Sequence, residues 1–413
     1  MKVWLAPYQL QAAVPSIGKG DFPPGYLMRV EHPHGHFGYA CLQAWPTLGE
    51  PDVHQEIAWL QESQPSRKMR WLLYLALQEG EQRYLARSRG EGRDSDPVAG
   101  NAIWHNFNYS PLHHRLCRNL RELAITLAKD QEKWRGGRWH VVGPLEGGPQ
   151  SFLALQREFQ QEYCDDVWDG GVQTLKVKLN TEWHEFFSLI TRLPIEQRLQ
   201  YSWRFDFNGQ LNADDYQSFC EAALRHNLRV DYIEDPLPWC AEDWRKLAEC
   251  TPFALARDVW AGLMDSVAHA DAAPKVASLA QLTAEAIVEE FAVAGSAADA
   301  AWENCDFLKV LVIKPLVLPH TLWPIRQMTN QLRWVFTSNL DHPLGNMLGL
   351  WWALRFYAAQ GMSPEVCGFA SYRQFAPTPY HQEMSWWGSR LVATQGQGVG
   401  FTDLLESEPW QEI

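Results

Sequence analysis

The feature that most narrows the choice of fold is a recurrence of short apolar runs between helical stretches, beginning at Trp139. The runs are Trp139–Val142, Thr174–Leu179, Leu199–Phe207, Arg229–Glu234, Phe253–Asp258, Phe307–Lys314 and Leu332–Ser338. Helical periodicity fills most of the intervals, at Trp183–Thr191, Ala213–His226, Ala241–Glu249, Leu282–Val293 and Asn346–Ala359. Strands and helices alternating over this length imply a parallel sheet covered by helices. With Val366–Ala370 as the candidate eighth strand, closure into a (β/α)8 barrel is expected.

Barrels of this kind carry their chemistry at the C-terminal ends of the strands. The second run reads Thr174-Leu175-Lys176-Val177-Lys178-Leu179. Strand side chains alternate, so Lys176 and Lys178 share the face that leads to the barrel mouth. The next three strands end in Asp206, Glu234 and Asp258. Lys178, Asp206, Glu234 and Asp258 stand 28, 28 and 24 residues apart, one strand-and-helix unit each time. Three carboxylates gathered at one mouth repel unless a cation neutralises them. All-oxygen donors with no histidine or cysteine favour a hard cation, and Mg²⁺ fits because it leaves positions open to substrate oxygens. Each of these residues taken singly has a bland reading, such as a solvated edge strand for the lysines or a helix cap for Asp206.

The set Lys176-x-Lys178, Asp206-x-Asn208, Glu234-Asp235-Pro236, Asp258 and Lys314-Pro315 resembles the enolase superfamily, and within it the muconate-lactonizing-enzyme subgroup. The resemblance covers about Trp139 to Phe369. It implies a modified, enolase-like barrel under an N-terminal α+β capping domain. The divisions expected are a cap at 1–136, a barrel at 137–380 and a C-terminal segment at 381–413 that packs back on the cap. It also implies abstraction of a proton α to a carboxylate of a small-molecule substrate. Asp206, Glu234 and Asp258 would hold Mg²⁺, and Lys178 would be the base. Lys176 would tune Lys178 or touch the substrate, and Lys314 would act from across the mouth. Arg204, Asn208, Asp235, Ser338 and Asp341 would support the metal or the substrate.

Subgroup activities include o-succinylbenzoate synthesis on the path to menaquinone, dipeptide epimerisation and N-acylamino acid racemisation. The segment Thr337-Ser338-Asn339-Leu340-Asp341-His342-Pro343-Leu344-Gly345 is similar to the S-S-x-E-S-x-x-G segment of the synthase branch. It departs by placing Asp341 where that branch has Glu, and His342-Pro343 where it has Ser-x. The expected reaction is therefore a dehydration, with the epimerase and racemase chemistries as alternatives. A third reading is a binding protein that uses Trp203, Trp239, Trp260, Trp351 and Trp352 as a stacking platform.

Composition narrows the partners. A formal charge of −13 with no basic run argues against nucleic acid. No apolar run approaches membrane-spanning length, and the N-terminus is too polar-interrupted for a signal peptide. The eight cysteines form no C-x-x-C pair and no zinc spacing, so reduced thiols in a cytoplasmic enzyme are expected.

In the N-terminal part, Tyr26–Val30 and Phe37–Leu42 read as a hairpin. Its tip carries His32, His34 and His36 and reads as a histidine-rich polar tip, because no carboxylate or cysteine accompanies them in the sequence. Helical periodicity runs over Asp52–Ala86 and Leu112–Trp134, with a polar loop at 87–96 between them.

Overall fold

The computed structural model describes residues 1–12, 22–45, 50–88, 140–144, 174–191, 195–258, 305–317, 332–362, 364–369, 371–387, 390–392, 394 and 396–413. The expected helices at Leu112–Trp134 and Leu282–Val293, the loop residues beyond 88, and Trp260 lie outside them.

The N-terminal sheet holds β1 (Val3–Tyr8), β2 (Gly25–Glu31) and β3 (Phe37–Gln43), paired antiparallel in that order. Two helices follow, α1 (Val53–Gln61) and α2 (Arg67–Ser88). They replace the single long periodicity expected over Asp52–Ala86. The break falls at Ser63, whose backbone is left-handed (φ 58°), just before Pro65, which restricts the residue ahead of it. Asp52 caps α1 by accepting the Gln55 N–H at 2.9 Å. The chain end returns to this layer, where Gln411–Glu412 adds a fourth strand beside β1, with Trp4 opposite Glu412.

The larger sheet is parallel and sequential. It comprises β4 (His140–Pro144), β5 (Thr174–Lys178), β6 (Ser202–Asp206), β7 (Val230–Glu234), β8 (Leu255–Asp258), β9 (Val310–Ile313) and β10 (Arg333–Phe336). Seven expected strands are thus present, though Leu199 and Gln200 belong to a short helix, Ile195–Gln200, and not to the strand start. At the eighth position Gly368 bridges Thr337 in parallel. The Gly368 N–H donates to Phe336 O at 2.8 Å and the Ser338 N–H to Gly368 O at 2.9 Å.

Side-chain alternation sorts these strands into two layers. One set, Trp203, Phe205, Ile233, Leu255, Leu311, Ile313, Trp334 and Phe336, packs under the helices in the main core. The alternate set, Tyr232, Ala256, Val310, Val312 and Val335, forms its own small cluster inside the sheet. The curl is also read from a polar chord. β7 and β10 are separated by two strands, which in a flat sheet puts them roughly 14 Å apart. Arg333 on β10 nevertheless donates to Asp231 on β7 at 2.7 Å, and Arg204 on β6 donates to both Asp231 and Val366 O at 2.7 Å. A sheet that lets these groups meet is strongly curled, in the sense of a barrel wall.

Trp203 is fully buried, and Trp351 and Trp352 are buried on the helix Pro343–Ala359. Trp239 stacks under the Arg257 guanidinium at 3.5 Å. These tryptophans are packing groups, so no exposed stacking platform is built from them. Trp71 of α2 donates its indole N–H to Pro315 O at 2.7 Å, tying the N-terminal layer to the loop that follows β9.

Candidate active site

Parallel register sets the site. Lys178 is the partner of Asp206, and Asp206 of Glu234, so the three stand in one row at the ends of β5, β6 and β7. Glu234 is paired with Ala256, which puts Asp258 one layer further toward the mouth. Lys314 follows the last residue of β9. All six lysines and acids named from the strand pattern therefore lie at one end of one curled sheet.

Lys176 sits a layer below that row. Its ammonium reaches up between two acids, 2.6 Å from Glu234 Oε1 and 2.9 Å from Asp206 Oδ2. Burial alone would pull the ammonium down, but Asp206 and Glu234 outweigh it and hold it well above the usual lysine range. Asp206 feels the same balance from the other side. Its burial is overcome by Lys176 and Lys178, and its carboxyl is lowered. Glu234 is raised by burial and by Asp206, against the pull of Lys176.

Lys178 is nearly half exposed, at 47%, and its ammonium lies 3.6 Å from Asp206 Oδ2. An accessible amine above a buried carboxylate is placed to meet a molecule entering the mouth. Across the site, Lys314 forms an ion pair with Asp258 Oδ2.

The carboxylates group in a way the sequence did not give. Oxygens of Glu234, Asp235 and Asp258 all lie within 4.8 Å of one another. Asp206 was expected in this trio and Asp235 beside it. The wedge of Lys176 between Asp206 and Glu234 is the physical reason that Asp206 faces an amine instead. Asp235 turns in because its backbone is left-handed (φ 40°), and its Oδ1 accepts the Asp258 N–H at 3.3 Å. Burial and then Asp258 raise its carboxyl well above the usual range. Glu234 Oε2 is buried with no hydrogen-bond partner. A cluster of oxygen donors with one buried lone pair unused fits a hard divalent cation.

The supporting residues divide. Asn208 contributes its backbone: its N–H donates to Asp206 Oδ1 at 3.1 Å from a left-handed turn (φ 48°), while the residue itself is exposed. Arg204 does not flank the carboxylates. It is buried in the chord with Asp231, with its guanidinium 4.7 Å over the Tyr232 ring, and it serves the barrel interior. Ser338 bonds the Ser371 hydroxyl at 2.6 Å and donates to Gly368 O at 3.1 Å. Asp341 is buried and accepts the Asn339 N–H at 2.9 Å. Burial pushes its carboxyl up to about 6. The ring of neighbouring His342 lies 4.7 Å from that of Tyr8, so this loop is clamped against the N-terminal layer.

A second grouping supplies the carboxylate that the hairpin tip lacks in sequence. His32 and His36 at the β2–β3 tip share Glu81 of α2, which is 49 residues from His32 in the chain and invisible as its neighbour in sequence.

Comparison with known proteins agrees with this geometry. Residues 3–82 match the family model described as the O-succinylbenzoate synthase N-terminal domain. An o-succinylbenzoate synthase of Bdellovibrio bacteriovorus is 20% identical over 391 residues, covering 94% of this chain and 91% of that protein. An enolase-superfamily member from Listeria innocua superposes with a TM-score of 0.55 at 15% identity, over 100% of this chain and 98% of that one. A dipeptide epimerase of Methylococcus capsulatus, solved with Mg ion, gives a TM-score of 0.53 at 16% identity, over 97% of this chain and 99% of that one. With a curled parallel barrel, a small antiparallel cap and this first segment, the chain has the enolase-superfamily fold and opens with an N-terminal domain of the o-succinylbenzoate synthase type.

Proposed function

We propose that the protein is a Mg²⁺-dependent o-succinylbenzoate synthase. It would dehydrate 2-succinyl-6-hydroxy-2,4-cyclohexadiene-1-carboxylate to o-succinylbenzoate, a step toward menaquinone. The observation that carries the reading is the accessible Lys178 ammonium standing over Asp206, with the Glu234, Asp235 and Asp258 oxygens to one side and Lys314 beyond them. The N-terminal domain match and the full-length similarity to a synthase favour dehydration over the other chemistries of the fold.

Glu234 and Asp258 would hold Mg²⁺, with Asp235 or Asp206 completing the set. Bound there, the ion would stabilise negative charge that builds on the substrate carboxylate. Lys178, in its neutral form, takes the proton α to that carboxylate. Lys176 stays charged, pinned by two acids, and fixes the direction in which Asp206 and Glu234 point. Lys314 places a positive charge on the far side, where it can steady the developing anion or assist the departing hydroxyl. His342 holds the loop after β10 against the cap through the Tyr8 ring, and Asp341 braces that loop internally by accepting the Asn339 N–H.

A second reading is favoured by the same opposed amines. Lys178 and Lys314 on two sides of one centre suit a two-base epimerase acting on dipeptides or N-acylated amino acids. The test supplies both substrate types to the purified protein in D₂O with Mg²⁺. Net loss of water from the cyclohexadiene supports the synthase. Deuterium entering the α-position of a dipeptide or N-acylamino acid, with no product from the diene, overturns it in favour of the epimerase.

A further inference from the structure

We propose a transition-metal site at the tip of the N-terminal hairpin, formed by His32, His36 and Glu81 and suited to Zn²⁺ or a similar borderline ion. It is separate from the carboxylate centre. β1 meets β2 at Tyr8 and Gly25, and the Tyr8 end of the sheet is the end that touches His342 of the barrel. The tip 32–36 closes the other end of β2 and β3.

The hairpin builds the pair of imidazoles. Glu31 is opposite Phe37, and the next pair outward is His32 and His36. The His32 N–H donates to His36 O at 2.8 Å and the Gly35 N–H to His32 O at 2.9 Å, with Gly35 left-handed at φ 77°. Cross-strand partners hold their side chains side by side on one face. The two rings accordingly stack with centroids 4.1 Å apart.

The third donor comes from packing. Gly38 on β3 and Gly80 on α2 meet backbone to backbone, and a Cβ on Gly38 would fall 1.8 Å from Ala76 O. That contact presses α2 onto the hairpin and delivers the next residue, Glu81. Its Oε2 lies 3.5 Å from His32 Nε2 and 3.9 Å from His36 Nε2. Donors around a tetrahedral zinc, at bonds of about 2.0–2.2 Å, are separated by roughly 3.3–3.5 Å. All three donor atoms lie within 4.8 Å of one another, and the Glu81 oxygen is within about 0.6 Å of the needed separation from each nitrogen. Closing the triangle takes rotation of the two stacked rings, so that their in-plane lone pairs converge on the ion, and no backbone movement. Tyr84, one turn further along α2, stacks on the His36 ring at 4.9 Å and supports it.

The donor set selects the ion. Two imidazoles and one carboxylate suit Zn²⁺, Ni²⁺ or Cu²⁺, whereas Mg²⁺ and Ca²⁺ prefer oxygen alone. Binding has one local consequence. A metal on His32 Nε2 places the ring proton on Nδ1, which now accepts the His34 N–H at a long 3.3 Å. That weak contact is given up on loading.

The test is calorimetric titration of the full chain with Zn²⁺ in excess Mg²⁺, which keeps the carboxylate centre filled. Expected is one Zn²⁺ per chain, with affinity falling by at least about tenfold in Glu81→Gln and in His36→Gln. Glu234→Gln is expected to keep the site. Glu81 is partly exposed and its replacement isosteric, so a folded variant is available for comparison. A wild-type chain that takes up no Zn²⁺ under these conditions overturns the proposal. So does a titration that Glu81→Gln and His36→Gln leave unchanged.

Discussion

The Lys176 ammonium lies 2.6 Å from Glu234 Oε1, buried inside the barrel, while the other oxygen of the same carboxylate has no hydrogen-bond partner. One half of Glu234 is thus committed to the protein and the other half is left for a ligand. Removing one partner of a buried pair leaves an uncompensated charge and costs about 3–5 kcal/mol. Lys176→Met is expected to lose stability of this order in metal-free buffer. Thermal melts with and without Mg²⁺ check it, and added Mg²⁺ should recover more stability in the variant than in the wild type.

Lys178 is expected to behave in the opposite way. Its side chain is 47% exposed and its contact to Asp206 is 3.6 Å, so Lys178→Ala should leave the melting temperature nearly unchanged. Loss of a general base costs about 10²–10⁴-fold in rate. Steady-state turnover beside a melting curve separates this outcome from a structural role.

Lys314 discriminates between the two chemistries. It is paired with Asp258, and it would supply charge in a synthase and a second base in an epimerase. Lys314→Ala should lower dehydration by about 10²-fold or more, the cost of one stabilising charge in a closed site. Lys314→Arg keeps the charge and should retain part of that activity. In an epimerase the same variant would exchange the α-proton of one enantiomer only, which proton NMR in D₂O reads directly.

Asp341 gives a pH dependence. Its carboxyl is raised to about 6 by burial. The unfolded value is about 3.9, so the unfolded chain releases the proton first as pH climbs. Stability from this group is intact below about pH 4, falls between about 4 and 6 by up to about 3 kcal/mol, and is level above that. Asp341→Asn lacks the titration and can still accept the Asn339 N–H. Its stability relative to wild type should rise across that window, as denaturant melts at several pH values will record.

Much of the barrel and its mouth was legible because two short-range rules coincide there. Alternation along a strand put Lys176 and Lys178 on one face, and the length of one strand-and-helix unit brought Asp206, Glu234 and Asp258 to one end. What escaped depends on packing between distant segments. Asp235 joins the acids through a left-handed backbone that its neighbours Glu234 and Pro236 do not announce. Arg204 shares a strand face with Asp206, yet it pairs with Asp231 and Val366 in the layer below, a choice made only once the sheet has curled. The histidine tip gained its carboxylate from the close approach of Gly38 and Gly80. Leu199 reads as strand in the sequence because an apolar side chain at a helix end looks the same as one at a strand start.

The most direct measurement follows the cyclohexadiene carboxylate by absorbance and identifies the product by mass spectrometry, with wild-type protein and Lys178→Ala, each with Mg²⁺ and with EDTA. Conversion to o-succinylbenzoate by the wild type in Mg²⁺ alone is the predicted result. An unchanged substrate in Mg²⁺, or equal conversion by Lys178→Ala, would contradict the assignment of proton abstraction to this amine beside a metal-binding carboxylate cluster.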